Sequence, residues 1–173
     1  MRKFISYMIT DPAYSLEEIF NAIKNKSPDF VCYRNKLYYD EKEIIEFAEF
    51  AKNYAKVFIN YDSVKNENIL DLFDGVHLPT SKIDMIDKFE QKTVIASTHT
   101  KEEILNAKKA DYVTFSPVFE SKQRPGVGIE KLNEMCELHN NVIALGGITT
   151  HREIEEIKRS KAVGFASIRY FFT

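Results

Sequence analysis

His99 is the residue in this chain best placed by its type and surroundings to move a proton. It lies in the segment Ser97–Thr100, directly after a short apolar run and before an acidic stretch. An unperturbed imidazole titrates at about pH 6.5, so it can both accept and donate a proton at neutral pH. The pattern predicts an acid–base role for His99, although a single histidine in such a segment more commonly takes part in a helix cap. Of the other histidines, we expect His139 and His151 at the surface and His77 as a structural residue bonded to a loop.

Basic residues and glycines follow several other apolar runs. Cations and unhindered backbone N–H groups bind phosphate oxygens in many proteins, including barrels that hold a phosphate after strands seven and eight. Each feature alone has an ordinary explanation, since a Gly-Gly pair can form a tight turn and basic loop residues are usually solvated. Together they predict an anion site, with a phosphate as the favoured ligand. The residues concerned are Arg34, Lys36, Lys122, Arg124, Gly146, Gly147 and Ser167.

Eight short apolar runs recur along the chain, separated by charged segments with helical spacing. The runs are continuous rather than alternating, which is typical of parallel strands covered on both faces. Alternation of strands and helices favours right-handed crossovers, and eight units predict a compact (β/α)8 TIM barrel of the α/β class, whereas fewer strands would form an open doubly wound sheet. The runs are Phe4–Ile9, Phe30–Tyr33, Val57–Ile59, Gly75–Leu78, Val94–Ala96, Tyr112–Phe115, Val142–Leu145 and Ala162–Ala166.

The expected barrel occupies residues 1–173 as one domain, because no linker or low-complexity stretch interrupts the alternation. Its final helix is expected to be short or absent, since only a few residues follow the last run. We expect Tyr170, Phe171 and Phe172 to cover that part of the barrel wall, with a second subunit as the alternative. Because the loops after the strands form the site in a parallel barrel, the polar residues above are expected to meet at one end.

The composition argues against several classes of function. Lysine and arginine number 24 and aspartate and glutamate 26, a net charge of −2, so no basic excess favours nucleic acid or an anionic membrane surface. No run reaches the roughly 18 apolar residues of a membrane span, and the first run is too short for a secretion signal. Cys32 and Cys136 match no metal or redox spacing. These features predict a cytoplasmic protein.

Short motifs stand at nearly every predicted strand end. In order they are Tyr7–Asp11, Tyr33–Lys36, Ile59–Asn60, Asp74–Leu78, Ala96–Thr100, Ala110–Val113, Ser116–Phe119, Ala144–Ile148 and Phe165–Ile168. The series resembles the thiamine phosphate synthase/TenI family over Phe4 to Ile168. Each motif is weak alone, but their shared order is specific. The resemblance implies a (β/α)8 barrel, commonly present as a homodimer.

This resemblance implies one of two chemistries on a thiazole phosphate. Thiamine phosphate synthase couples it to an aminopyrimidine diphosphate and releases pyrophosphate, whereas TenI-type thiazole tautomerases move a proton on the carboxythiazole phosphate and aromatise its ring. By resemblance, His99 is the acid–base residue, and Ser121 belongs to the loop that lies along the thiazole. The phosphate positions are Gly146, Gly147, Ala166 and Ser167. The remaining substrate-binding positions are Arg34, Lys36, Asn60, Ser97, Lys122 and Arg124.

The chain departs from the synthase pattern at the metal positions. Family synthases hold Mg²⁺ with an aspartate directly after the third-strand asparagine and another shortly after the His-Leu motif. Here those positions carry Tyr61 and Lys82, with Asp62 and Asp84 displaced along the chain. A one-residue shift at a strand end turns a side chain to the opposite face. The sequence therefore favours a tautomerase that needs neither metal nor cofactor, with a Mg²⁺-dependent synthase and a non-catalytic binder of thiamine-pathway phosphates as alternatives.

Overall fold

The structure, a computed structural model, describes residues 2–173 as a closed barrel of parallel strands. The strands are β1 (Ile5–Ile9), β2 (Phe30–Tyr33), β3 (Lys56–Asn60), β4 (Gly75–Leu78), β5 (Thr93–Thr98), β6 (Tyr112–Phe115), β7 (Val142–Leu145) and β8 (Gly164–Ser167). Each strand pairs with the next, and β8 closes the barrel on β1 with Ser167 opposite Met8. The (β/α)8 barrel predicted from the sequence is confirmed.

Five α-helices and several 3₁₀ segments connect the strands. The helices are α1 (Leu16–Lys26), α2 (Glu41–Ala51), α3 (Lys101–Asn106), α4 (Gly128–Cys136) and α5 (His151–Lys158). The longer 3₁₀ segments are Glu67–Leu72 and Thr80–Phe89. Helices α1, α3 and α5 each begin at a capping box, in which Ser15, Thr100 or Thr150 accepts a backbone N–H and a glutamate bonds back. These caps fix where the loops end.

Two apolar layers cover the strands. Alternate side chains of each strand point inward, where Tyr7, Phe30, Phe58 and Ile95 fill the barrel. The other side chains pack outward against the helices. Burial of one such large side chain contributes about 1.5–3 kcal/mol. Cover on both faces explains why the strands read as continuous apolar runs.

The 3₁₀ segment Arg169–Phe172 covers the outside of β8 beside α1. Phe171 is buried, and its ring stacks on Phe165 with 5.9 Å between centroids. Phe172 stacks on Tyr14 with 3.6 Å between ring centroids, and Tyr170 packs edge-on against the Phe165 ring. The prediction that these aromatic residues cover the barrel wall is confirmed.

The histidine predictions need two corrections. His139 is buried, donating from Nε2 to the carbonyl of Ala110 at 3.0 Å and accepting the N–H of Asn141. The sequence predicts it at the surface, but its ring joins the backbone before β6 to the backbone before β7. His77 is bonded to side chains of β1 and β5 rather than to a loop. His151 is exposed, as expected.

No helix within residues 2–173 combines the length and apolar character that crossing a bilayer requires.

Candidate functional site

A cavity of about 830 Å³ opens at the carboxyl ends of the strands. It brings together every binding or catalytic residue predicted from the sequence, although these residues are spread along the whole chain. The predicted residues that line it are Arg34, Lys36, Asn60, Ser97, His99, Ser121, Lys122, Arg124, Gly146, Gly147, Ala166 and Ser167. The candidate proton-transfer residue and the candidate phosphate turn therefore face one shared space.

The lining of this cavity is strongly cationic. Asp11 is the one carboxylate that the described part of the chain contributes to the lining, and it pairs with Arg34 at 3.5 Å. The basic side chains of the lining are Arg34, Lys36, Lys122, Arg124 and Arg169. Fixed positive charge in a cleft attracts anions. The cavity is therefore suited to an anionic ligand.

Lys122 and Arg124 reach the rim on a tight hairpin. Ser121 and Arg124 exchange two backbone hydrogen bonds of 3.0 and 2.8 Å. The residues between them, Lys122 and Gln123, have φ values of 48° and 64°, as in a type I′ turn. Left-handed backbone costs a residue with a Cβ about 1–2 kcal/mol. The hairpin accepts this strain while it presents two cations to the cavity.

The turn after β7 has the form of an anion cradle. Gly146 and Gly147 have φ values of 101° and 70°, in the region that favours glycine. A Cβ on Gly147 would lie 2.5 Å from the carbonyl oxygen of Glu120. The backbone N–H groups of Gly147 and Ile148 have no acceptor within residues 2–173. They are free to donate to an anionic oxygen.

Ser167 fixes the shape of this cradle with its side chain. Its hydroxyl donates to the carbonyl oxygen of Ile148 at 2.7 Å and accepts the N–H of Tyr170 at 3.2 Å. These bonds join the turn after β7 to the segment after β8. The hydroxyl proton is thus already used within the protein, which the sequence could not reveal.

His99 has one ring nitrogen fixed by its neighbours. Thr80 Oγ1 donates to the carbonyl oxygen of Ser97 at 3.0 Å, so toward His99 Nδ1, at 3.2 Å, it acts as acceptor. The Glu103 carboxylate lies 3.5 Å from the same nitrogen and also favours a proton there. The resulting Nδ1–H tautomer leaves a lone pair on Nε2. The imidazole can therefore accept a proton on Nε2.

A chain of three polar side chains lies across the barrel below the cavity. Tyr7 Oη is 2.7 Å from His77 Nδ1, and His77 Nε2 is 2.8 Å from Ser97 Oγ. Tyr7 and His77 are buried, while His77 and Ser97 line the cavity. Burial, followed by the charges of Arg34 and Lys36, lowers the pKa of His77 to about 3. His77 is therefore a neutral imidazole at the cavity floor.

The displaced carboxylates do not form a site for Mg²⁺. Lys82 Nζ donates to Asp62 Oδ1 at 3.0 Å, and Lys36 Nζ lies 3.8 Å from Oδ2. Asp84 is exposed and lies outside the cavity lining. Proteins usually hold Mg²⁺ through one or two carboxylates together with waters and substrate phosphates. Here the carboxylate of Asp62 is already placed between two ammonium groups. Within residues 2–173, no three acidic, histidine or cysteine side chains are placed to hold a metal ion. The residues present do not fit this ion.

Sequence reasoning missed several lining residues. Tyr14 lies in the loop after β1 and Arg169 is the second residue after β8, and both border the cavity because these strands are neighbours. The basic type of Arg169 at a strand end was an available signal. Asn60 was predicted, but its Oδ1 accepts the N–H of Asp62 at 3.1 Å, so it also caps the turn after β3.

The fold and the cavity define a small (β/α)8 barrel protein with a cationic pocket at its strand ends. The sequence model of the TMP-TENI family, described as thiamine monophosphate synthase, matches residues 6–171. The chain belongs to this family. No curated protein sequence matches the chain significantly.

Solved structures support the same fold. Thiamine phosphate pyrophosphorylase from Pyrococcus furiosus superposes with a TM-score of 0.79 at 24% identity, covering 96% of this chain and 86% of that one. Phosphoribosyl anthranilate isomerase from Thermotoga maritima superposes with a TM-score of 0.72 at 13% identity, with 98% and 89% covered. The (S)-3-O-geranylgeranylglyceryl phosphate synthase of Thermoplasma acidophilum gives 0.66 at 12% identity, with 98% and 87% covered. At these identities the likeness establishes the fold alone.

Proposed function

We propose that this family member is a thiazole tautomerase that acts on a carboxythiazole phosphate. The reaction removes a proton from one position of the thiazole unit and returns it at another, while the ring electrons shift to give the aromatic isomer. It has no leaving group and consumes no co-reactant. The protein therefore needs an anion site, a proton carrier and no metal.

The turn at Gly146–Gly147 is the proposed phosphate site. Its free N–H groups, with the cations around the cavity mouth, match the donors that phosphate oxygens require. Ser167 keeps the turn in place through its bond to Ile148. Anchoring the phosphate here would leave the ring in the space between the cradle and His99.

His99 is the proposed proton carrier. Its Nδ1–H is held by Thr80 and Glu103, so Nε2 presents a lone pair as the base. After accepting the proton, the imidazolium can return it as the acid. Glu103 would stabilise the imidazolium through its negative charge.

The ion pair between Lys82 and Asp62 is the observation that carries the choice of tautomerase over synthase. Release of pyrophosphate places negative charge on oxygens that a divalent cation normally neutralises. Here the carboxylate nearest the family's metal position is bonded to Lys82 at 3.0 Å. Proton transfer within one substrate needs no such ion.

The direct test mixes the purified protein with the carboxythiazole phosphate tautomer and follows aromatisation by ultraviolet absorbance. We expect His99→Ala to lower kcat at least about 100-fold, the usual contribution of a general acid–base group. His151→Ala, which changes an exposed histidine outside the cavity, is the matched control. Unchanged turnover of His99→Ala would remove this residue from the mechanism. Thermal stabilisation by the ligand without turnover would instead identify a non-catalytic binder.

One observation favours thiamine phosphate synthase as a second candidate. Arg34, Lys36, Lys122 and Arg124 line one cavity, which is more positive charge than a single phosphate requires. The two phosphate groups of a diphosphate would match this positive charge. Release of pyrophosphate from an aminopyrimidine diphosphate and a thiazole phosphate, dependent on Mg²⁺, would establish this activity. The homodimer implied by the family remains a prediction, and light scattering at micromolar concentration that shows only monomer would contradict it.

A further inference from the structure

We infer that Tyr7 and His77 act together as positioning residues that make the Ser97 hydroxyl a hydrogen-bond donor toward the ligand. The three side chains form the chain of hydrogen bonds across the barrel described above. In each of these hydrogen bonds one atom donates and the other accepts, and Tyr7, at the buried end, determines which does which. As a result, the Ser97 hydroxyl at the cavity floor would keep a free proton for an acceptor oxygen of the ligand.

Tyr7 determines which atom donates in the first of these hydrogen bonds. Its side chain is fully buried, and its hydroxyl lies 2.7 Å from Nδ1 of His77, with the buried thiol of Cys32 as a second polar neighbour. Burial raises the pKa of Tyr7 well above its usual value, so the hydroxyl keeps its proton. A thiol sulfur is a weak acceptor, whereas the lone pair of an imidazole nitrogen is a strong one. The Tyr7 O–H therefore donates to Nδ1.

The tautomer of His77 then determines which atom donates in the bond to Ser97. Because it is neutral, its ring carries one N–H and one lone pair. The lone pair on Nδ1 accepts from Tyr7, so the proton lies on Nε2. Nε2–H must then donate to Ser97 Oγ, 2.8 Å away. The tautomer of His77 is fixed by a residue on the opposite side of the barrel.

Ser97 is the end of the chain that meets the ligand. With Nε2–H donating to its oxygen, its own proton is free, and the side chain is half-buried at the cavity lining. Arg34 and Lys36 line the same cavity and are close enough to lower the pKa of His77. The floor therefore combines a neutral donor with two cations, which suits an anionic oxygen of a carboxylate or phosphate group.

This inference deepens the proposed function, since the carboxythiazole phosphate carries both kinds of anionic oxygen. It assigns Ser97 a ligand contact apart from the cradle at Gly146–Gly147. It assigns Tyr7 and His77 no contact with reacting atoms. The arrangement of protons in the free protein does not depend on which substrate is correct, so it can be tested separately.

The first test is nitrogen-15 NMR of the free protein with labelled histidine, in which His77→Gln identifies the His77 signals. We expect His77 to be protonated on Nε2 only and to remain neutral throughout neutral pH. Tyr7→Phe removes the donor, and the His77 signals are expected to move toward a mixture of tautomers. A proton on Nδ1 in the wild type, or titration of His77 near neutral pH, would overturn the inference.

The second test is a double-mutant cycle on the dissociation constant of carboxythiazole phosphate. We expect Ser97→Ala to weaken binding roughly 10-fold and Tyr7→Phe about 3-fold, as for loss of one hydrogen bond and of its orientation. In the Ser97→Ala background, Tyr7→Phe is expected to have no further effect. If the effects of the two substitutions on the dissociation constant are additive, Tyr7 affects binding independently of Ser97, through the structure of the barrel as a whole.

The control for the cycle is Ile95→Val, which trims the barrel interior beside His77 without touching the hydrogen bonds. Its effect on affinity is expected to be small and equal in both backgrounds. Repeating the cycle with a thiazole phosphate that lacks the carboxylate distinguishes the two sources of the acceptor oxygen: the Ser97→Ala effect vanishes if Ser97 binds the carboxylate and persists if it binds the phosphate. If neither ligand binds, the proposed function fails, and the NMR result still decides the inference.

Discussion

The ammonium group of Lys82 lies 3.0 Å from Asp62 and 4.9 Å from the centre of the Tyr61 ring. Lys82→Asp would replace this charge and set two carboxylates side by side. We expect Mg²⁺ to raise the Tm of that variant and to leave the wild-type Tm unchanged, because carboxylate pairs bind divalent ions. Lys82→Ala frees Asp62 without adding a ligand and serves as control. A Mg²⁺-dependent rise in the wild-type Tm would favour the synthase.

Thr80 is expected to support catalysis by orienting His99. Thr80→Val keeps the shape of the side chain but removes the oxygen that accepts from Nδ1, 3.2 Å away. We expect kcat for aromatisation to fall about 5- to 10-fold, the usual value of one hydrogen bond, with little change in KM. Ser81→Ala, at the exposed neighbouring position, is the control. A wild-type kcat in Thr80→Val would mean that the tautomer of His99 is held by Glu103 alone.

Gly147→Ala tests the cradle, with Gly128→Ala as a closely matched control. Both glycines have positive φ, 70° and 86°, so alanine costs each about 1–2 kcal/mol of backbone strain. Only at Gly147 would the added Cβ meet other atoms, 2.5 Å from the Glu120 oxygen, whereas nothing lies within 4 Å at Gly128. We therefore expect Gly147→Ala to abolish binding of the thiazole phosphate in calorimetry. Equal binding by both variants would place the phosphate elsewhere.

His77 makes the stability of the fold depend on pH. Its pKa is about 3 in the folded protein and about 6.5 in an unfolded chain. Between these values the unfolded state binds a proton that the folded state does not, so the free energy of unfolding falls as pH falls, by at most about 1.4 kcal/mol per pH unit. Buried His139, whose pKa is also lowered, acts in the same direction.

Urea denaturation between neutral and mildly acidic pH measures this dependence. We expect His77→Gln to flatten the slope, because the residue that titrates only in the unfolded state is gone. His151→Gln changes an exposed histidine and is expected to leave the slope as it is. A slope that His77→Gln does not alter would mean that His77 is already protonated in the folded state.

The residues that follow each strand could be predicted from the sequence, and these residues form most of the cavity lining. Once eight parallel strands close, the loops carrying Arg34, His99 and Gly146 must meet at one end, whatever the detailed packing. The helix type was less accessible. Residues 80–89, with weak helical spacing, form a 3₁₀ segment broken at Lys82, whose φ is −123°.

The hydrogen-bond directions could not be predicted. The contact of Tyr7 with His77 joins β1 to β4 through the barrel interior, so it depends on barrel width and strand register. Ser167 could be assigned to the phosphate turn from its position, but the use of its proton on Ile148 depends on the path of the neighbouring loop. Such pairings are set by tertiary packing, which residue type and spacing do not specify.

The concentration of arginine and lysine around one mouth contrasts with the net charge of −2 of the whole chain. Its field is therefore local, and salt weakens it over a Debye length of about 8 Å at physiological ionic strength. Fixed positive charge of this kind is expected to speed the encounter of a small anion with the mouth. We therefore expect the association rate of such a ligand to fall as salt increases.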